Sequence, residues 1–261
     1  MNDAATLMHI GGLSLAACCA IALPVWVASV PLRDVSIVDS AWSLLVLAPA
    51  LVAVALVPQA GPRAPWVVLL ASAWAVRLAL YITWRHWGHR EDHRYQAIRA
   101  RNEPHFALKS LYLVFGLQAL LAWLVSLPLM AAVTSPVPWN ALDSIGVALF
   151  LLGLVIETLS DGQLARFKAD PGNRGRVMKQ GLWRYSRHPN YFGEFCVWWG
   201  LWLVALAAGA WWTIVSPLLM TVLLLKVSGV TLLEKDIGER RPAYREYIAH
   251  TNAFFPWKPR A

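Results

Sequence analysis

Residues 147–156 read Val-Ala-Leu-Phe-Leu-Leu-Gly-Leu-Val-Ile, without one charged or hydrogen-bonding side chain. Such a run has no wet face, so it matches neither the alternation of a half-buried strand nor the stripe of an amphipathic surface helix. Leu218 to Leu225 repeats the pattern, interrupted only by Thr221. A transmembrane barrel would need short alternating strands, which leaves helices whose solvent is lipid. Working outward, comparable apolar blocks of about 20 residues, the length that crosses a hydrocarbon layer, recur along the chain. They predict spans near 7–30, 34–57, 65–87, 107–133, 141–160, 191–209 and 211–233. Composition agrees: 58% of residues are hydrophobic and 15% charged, against roughly 45–50% and 25% in soluble domains. The expectation is an all-α, polytopic membrane protein of about seven transmembrane helices. The first block is read as a retained helix, because Asn2 and Asp3 stand where a signal peptide would carry positive charge and its apolar stretch is long.

The 23 lysines and arginines are unevenly placed. Six lie between Arg85 and Lys109, seven between Arg166 and Arg187 and seven from Lys226 to Arg260, whereas 134–140 and 209–210 carry none. By the positive-inside rule this predicts an external N-terminus and a cytoplasmic C-terminus, joined by an odd number of spans. The net charge of +8 is then a matter of topology, and no basic and aromatic pattern points to nucleic acid. Cys18, Cys19 and Cys196 lie in apolar spans and read as core packing, with no spacing suited to a metal. No repeat or separate soluble domain is evident. The chain reads as one membrane domain over 1–261, with helices 1–4 (1–140) forming a lipid chamber and helices 5–7 with their loops (141–261) a cofactor-binding half.

Chemistry concentrates in the second half. At the end of helix 5, Glu157, Asp161 and Lys168 share one helix face. Ionisable groups beside lipid are costly, so Glu157, the deepest, is read as functional; Asp161 and Lys168 could instead have emerged into the interface. Gly181-Leu-Trp-Arg-Tyr-Ser-Arg-His-Pro-Asn-Tyr-Phe-Gly-Glu194 then runs straight into an apolar span. Pro189 holds His188 extended and can start the next helix, which puts Asn190 and Glu194 on one face of its first turns. Singly, these residues read as a loop histidine, capping partners and interfacial tyrosines; jointly they read as a site.

From about Gly153 to Pro256 the chain resembles the polytopic membrane reductases that include steroid 5α-reductases and the sterol C14 and C7 reductases. The resemblance rests on Tyr185, the string Arg187-His188-Pro189-Asn190-Tyr191 and Gly193-Glu194, with support from Ser160-Asp161, Lys168, Tyr244, Tyr247 and Phe254-Phe255-Pro256. It implies seven helices, NADPH held in the cytoplasm-facing half and reduction of an activated C=C bond in a lipid drawn from the bilayer. On it, Glu157, Asp161, Lys168, Tyr185, Arg187, His188, Asn190, Tyr191, Glu194, Tyr244 and Tyr247 are the expected cofactor contacts. Isoprenylcysteine carboxyl methyltransferases share the Arg-His-Pro-x-Tyr-x-Gly core, bind S-adenosylmethionine and carry a tail similar to Glu234, Gly238, Tyr244 and Tyr247. Asn190, Glu194 and the acid-bearing helix 5 favour the reductase, as does positive charge, since NADPH carries about four negative charges for Arg and Lys to meet. There is no G-x-G-x-x-G after a strand, hence no Rossmann site.

On helix 3, Trp74, Arg77, Tyr81, Arg85 and Gly88 form a polar-aromatic stripe, and Asp39 on helix 2 is the natural partner for Arg77. Arg90-Glu-Asp-His-Arg94-Tyr95 is similar to a pattern in bacterial members of the reductase group and is expected to cover the cofactor entrance, with Arg94 among the contacts; a solvated charge run is the alternative. Steroid reductases polarise the substrate carbonyl with a helix-3 Tyr supported by a helix-2 Glu. Here Trp74 stands at the Tyr position and helix 2 has no Glu, so either Tyr81 with Asp39 takes the role or the substrate is not a 3-keto steroid. The expected function is an NADPH-dependent reductase of a carbonyl-activated C=C bond, in a multi-pass protein of a cell membrane, the bacterial inner membrane on the resemblance. Its partners are the lipid substrate and membrane lipids, with no obligatory protein partner inferable. The alternatives are the methyltransferase and a non-enzymatic transporter or scaffold with a polar pathway.

Overall fold

The computed structural model describes residues 4–227, 229–234, 237 and 242–260, and among these there is no strand. The expected helices are present: α1 (Ala4–Leu32), α2 (Ile37–Leu56), α3 (Ala64–His86), α5 and α6 (Phe106–Ser110 and Leu117–Val125, joined by the π-helical turn Leu111–Gly116), α8 (Ala141–Ala169) and α9 (Pro189–Ala207). Five helical segments, Met8–Leu32, Ile37–Leu56, Ala64–His86, Phe106–Val125 and Ala141–Ala169, are long and apolar enough to cross a membrane. The chain is therefore an all-helical, multi-pass membrane protein.

Three expected spans differ in detail. The fourth, 107–133, breaks at Ser126, and α7 (Leu127–Thr134) restarts with proline in its first turn. Pro128 has no N–H to give and its ring would crowd the carbonyl four residues back, so one continuous helix is disfavoured there. The fifth runs on to Ala169, keeping Asp161 and Lys168 helical; it opens on a reciprocal capping box between Asn140 and Asp143, whose bonds satisfy end groups that would otherwise be orphaned. The seventh is segmented into a 3-10 turn (Trp211–Ile214), α10 (Val215–Val222) and a π-helical turn (Leu223–Val227), followed by α11 (Val230–Glu234). The expected loop at 90–95 runs into a helix, α4 (His93–Asn102), capped by Asp92, and α12 (Ala243–His250) lies near the C-terminus. Gly238 and Ala261 lie outside the described residues.

The chain divides into two compact units, Met1–Trp139 with Ala207–Thr213 and Asn140–Leu206 with Ile214–Ala261. In the first unit α2 packs against α1, α3, α6 and α7. Because lipid offers no hydrophobic drive between helices, side chains that hydrogen-bond across them set the register. Ser43 Oγ donates to the Ala75 carbonyl at 2.7 Å, Trp26 Nε1 to Ala107 O and Trp123 Nε1 to Gly11 O, both at 2.9 Å. Arg63, fully buried, donates to the carbonyls of Val137 and Pro138 and so ties the 57–63 and 134–139 connections together. Cys18 is buried with its thiol on Leu45 O at 3.3 Å, and Cys196 is buried. Cys19, expected in the core, is exposed, since its neighbour already occupies the packed face.

Candidate functional site

The second unit is organised by backbone contact between α8 and α9. A Cβ added to Gly153 would stand 2.5 Å from the Gly193 carbonyl oxygen, and one added to Gly193 would stand 2.6 Å from Glu157 N. Gly146 and Gly200 meet in the same way one heptad on, at 2.7 and 2.6 Å. Helices that touch at glycine bring their neighbouring side chains close together, so buried Glu157 lies beside the start of α9. One turn further along α8, buried Asp161 accepts a hydrogen bond from Asn190 Nδ2 at 3.2 Å. Glu194, the next turn of α9 after Asn190, is also buried. Six of the expected cofactor contacts stand on this helix pair, Glu157, Asp161 and Lys168 on α8 and Asn190, Tyr191 and Glu194 on α9, which opens on Pro189 as the sequence predicts.

The loop before α9 folds back onto α8 through Trp183 Nε1 to Ser160 O and Leu182 N to Gln163 Oε1, both at 3.0 Å. Arg187, expected among the cofactor contacts, is tied to other parts of the chain. It is buried, its Nε and Nη2 each donate to the Glu234 carboxylate at 2.7 Å, and Nη1 reaches the carbonyls of Ile248 and Thr251. A guanidinium engaged at every nitrogen is a staple between chain segments. His188 Nε2 meets the same carboxylate at 2.8 Å while its ring stacks on Tyr191 at 5.5 Å. Burial alone would raise the Glu234 pKa, but hydrogen bonds from His188 and Arg187 and the Arg187 charge bring it down to about 2. Tyr247 is likewise structural, its hydroxyl donating to the carbonyls of Trp183 and Ser186, and Tyr244 packs edge-on against its ring. Burial pushes the Tyr247 phenol up. Tyr185 is exposed and its carbonyl accepts from Trp257 N at 3.0 Å. Lys168 is exposed, as are Arg166, Arg174, Arg176, Lys179 and Arg184.

This donor set fits NADPH in part. Buried carboxylates accept from ribose hydroxyls and a carboxamide, and the exposed cations of 166–184 can meet phosphates, whereas Arg187 already spends most of its donors on Glu234 and on backbone carbonyls.

The first unit holds a second polar cluster. Asp39, expected beside Arg77 and Tyr81, has its Oδ2 accepting from Arg94 Nη2 at 2.8 Å and its Oδ1 from the Tyr95 hydroxyl at 2.6 Å. Arg94, expected at the cofactor, also donates to Asp92 at 3.0 Å. Burial would lower the Arg94 pKa, but Asp39 and Asp92 raise it. Tyr95 is buried, and burial followed by the Asp39 charge pushes its phenol up, so the proton stays on across neutral pH. Gln118 Nε2 approaches the same oxygen at 3.4 Å. Around them Asp34 accepts from Ser36 and meets His86 Nε2 at 2.8 Å, while Arg99 pairs with Glu91 at 2.7 Å. Tyr81 instead carries the Arg85 guanidinium 5.6 Å from its ring centre, with Trp84 at 6.1 Å. Tyr95 and Gln118 were missed by the sequence reading. The available signal was the cap Asp92, which starts a helix at His93 and turns Tyr95 from loop residue into a fixed side chain.

Apolar helices long enough to span, with buried polar clusters among them, define a multi-pass membrane protein. The family model described as a protein of unknown function (DUF1295) matches residues 25–251, and the chain belongs to that family. An uncharacterized protein of Schizosaccharomyces pombe is 28% identical over 214 residues, covering 72% of this chain. The match spans 61% of that relative's length. No solved structure matches.

Proposed function

We propose that this protein is an NADPH-dependent reductase of a C=C bond conjugated to a carbonyl in a membrane lipid, a steroid-like, acyl or isoprenoid enone. The observation that carries this reading is the Tyr95 hydroxyl, buried, protonated and held on Asp39. In such a reduction negative charge grows on the carbonyl oxygen, and a fixed donor aimed at it is worth on the order of 10²–10³ in rate. Tyr95 supplies that donor by turning its proton from Asp39 to the enolate-like oxygen. Arg94 then keeps the Asp39 carboxylate paired, and Gln118 steadies the phenol oxygen. NADPH, when bound, supplies the hydride that adds to the β-carbon. Glu157, Asp161, Asn190 and Glu194 would hold its sugar and amide groups, Lys168 and the other exposed cations of 166–184 its phosphates, and water would provide the α-proton. The same reading carries seven spans, an external N-terminus and a cytoplasmic C-terminus, in a bacterial inner membrane.

The test is turnover followed as loss of nicotinamide absorbance with a 3-keto steroid enone, a trans-2-enoyl ester and a prenyl enone. Tyr95→Phe should lower turnover about 10²–10³-fold and leave the NADPH dissociation constant unchanged. Undiminished turnover in Tyr95→Phe would remove Tyr95 from the chemistry.

A methyltransferase remains the second reading because one observation favours it. Three buried carboxylates, Glu157, Asp161 and Glu194, suit the sulfonium and ammonium of S-adenosylmethionine better than they suit a phosphate.

A further inference from the structure

The connector from Arg85 to Arg101 carries five arginines, Arg85, Arg90, Arg94, Arg99 and Arg101, and the fold divides them. Arg94 is paired with Asp39 and Asp92, and Arg99 with Glu91. Among the described residues no carboxylate pairs with Arg85. Arg85 is exposed in the last turn of α3, with its guanidinium over the Tyr81 ring. It is flanked by Trp84, 63% exposed, and Trp87, 79% exposed.

An arginine stacked on one aromatic ring and bordered by two exposed indoles, at the last turn of a helix long and apolar enough to span, sits where lipid headgroups lie. Tryptophan favours that depth because its ring is apolar and its N–H is not. A guanidinium over a ring still offers its planar fork to two oxygens of one phosphate, which a freely rotating ammonium does less well. We infer that Tyr81, Trp84, Arg85 and Trp87 form a headgroup site for an acidic phospholipid of the leaflet that this end of α3 meets. This is separate from the substrate lipid of the proposed reaction, whose polar group is assigned to Tyr95 and Asp39.

The experiment is retention of lipid by the purified full chain. Protein in nanodiscs of equal phosphatidylglycerol and phosphatidylcholine is extracted into mild detergent, and bound lipid is counted by native mass spectrometry. The parent should keep phosphatidylglycerol in preference to phosphatidylcholine. Arg85→Gln should lose about fivefold in that preference, the effect of one basic residue at a membrane surface. Arg85→Lys should lose part of it, and Arg101→Gln, which lacks the aromatic cradle, should match the parent. Should Arg85→Gln prove unstable, Trp84→Ala replaces it and should reduce the preference likewise. Equal retention by parent and Arg85→Gln overturns the site, and so does loss in Arg101→Gln equal to that in Arg85→Gln, which would mean a diffuse charge effect. Displacement of the lipid by millimolar inorganic phosphate would overturn the lipid assignment in favour of free phosphate. None of these outcomes depends on NADPH turnover.

Discussion

Arg187 is the residue whose bonding was least legible in the sequence. The resemblance puts it among the cofactor contacts, while its carboxylate partner lies 47 residues away along the chain, a pairing that no local pattern displays. His188, Asn190 and Glu194 were legible because they share one loop and one helix face; which group each one bonds was not. Glu234 makes the consequence measurable. Its carboxyl stands at about 2 in the fold against an ordinary 4.5. A depressed acid contributes stability that is present above the unfolded value and is lost as pH falls from about 4.5 towards 2. Thermal unfolding of the parent in detergent should therefore hold steady down to about pH 5 in this contribution and weaken below it. Arg187→Gln removes a bond and a charge that hold Glu234 down, so its acid limb should still begin near pH 4.5 but be shallower, with less stability to lose, while any preference for NADPH over NADH stays as in the parent. Selective loss of NADPH affinity at an unchanged acid limb would restore Arg187 to the phosphate.

At the scale of elements, the apolar blocks were legible because lipid demands unbroken hydrophobic runs, but their interruptions were not. The break at Ser126 follows from Pro128, whereas the π-helical turns at Leu111–Gly116 and Leu223–Val227 have no sequence signal we recognise. Glycine decides how close two helices come, and that too is invisible until the partner helix is known. Gly153 and Gly193 belong to the stretch read for chemistry, yet the structure uses both to bring α8 and α9 into backbone contact. Gly193→Ala should force the pair apart and cost about 1–3 kcal/mol. Gly162→Ala, where an added Cβ meets nothing within 4 Å, should be neutral or stabilising by up to about 1 kcal/mol. Denaturation of the two variants side by side checks this, and equal behaviour would contradict the backbone contact.

For the molecule as a whole, two polar clusters stand in two compact units, each legible in a different degree. The α8 and α9 cluster was visible as a dense motif. The Asp39, Arg94 and Tyr95 cluster was not, because it joins a residue inside α2 to the first turn of a short helix 55 positions later. The reductase account assigns the cofactor to the first of these and the lipid carbonyl to the second, and its central claim is the identity of the cofactor. That claim is tested most directly by binding isotherms of NADPH, NADH and S-adenosylmethionine on the purified protein in detergent. The account predicts saturable NADPH binding, weaker NADH binding and none for S-adenosylmethionine. Tight S-adenosylmethionine binding with no nicotinamide binding would contradict it.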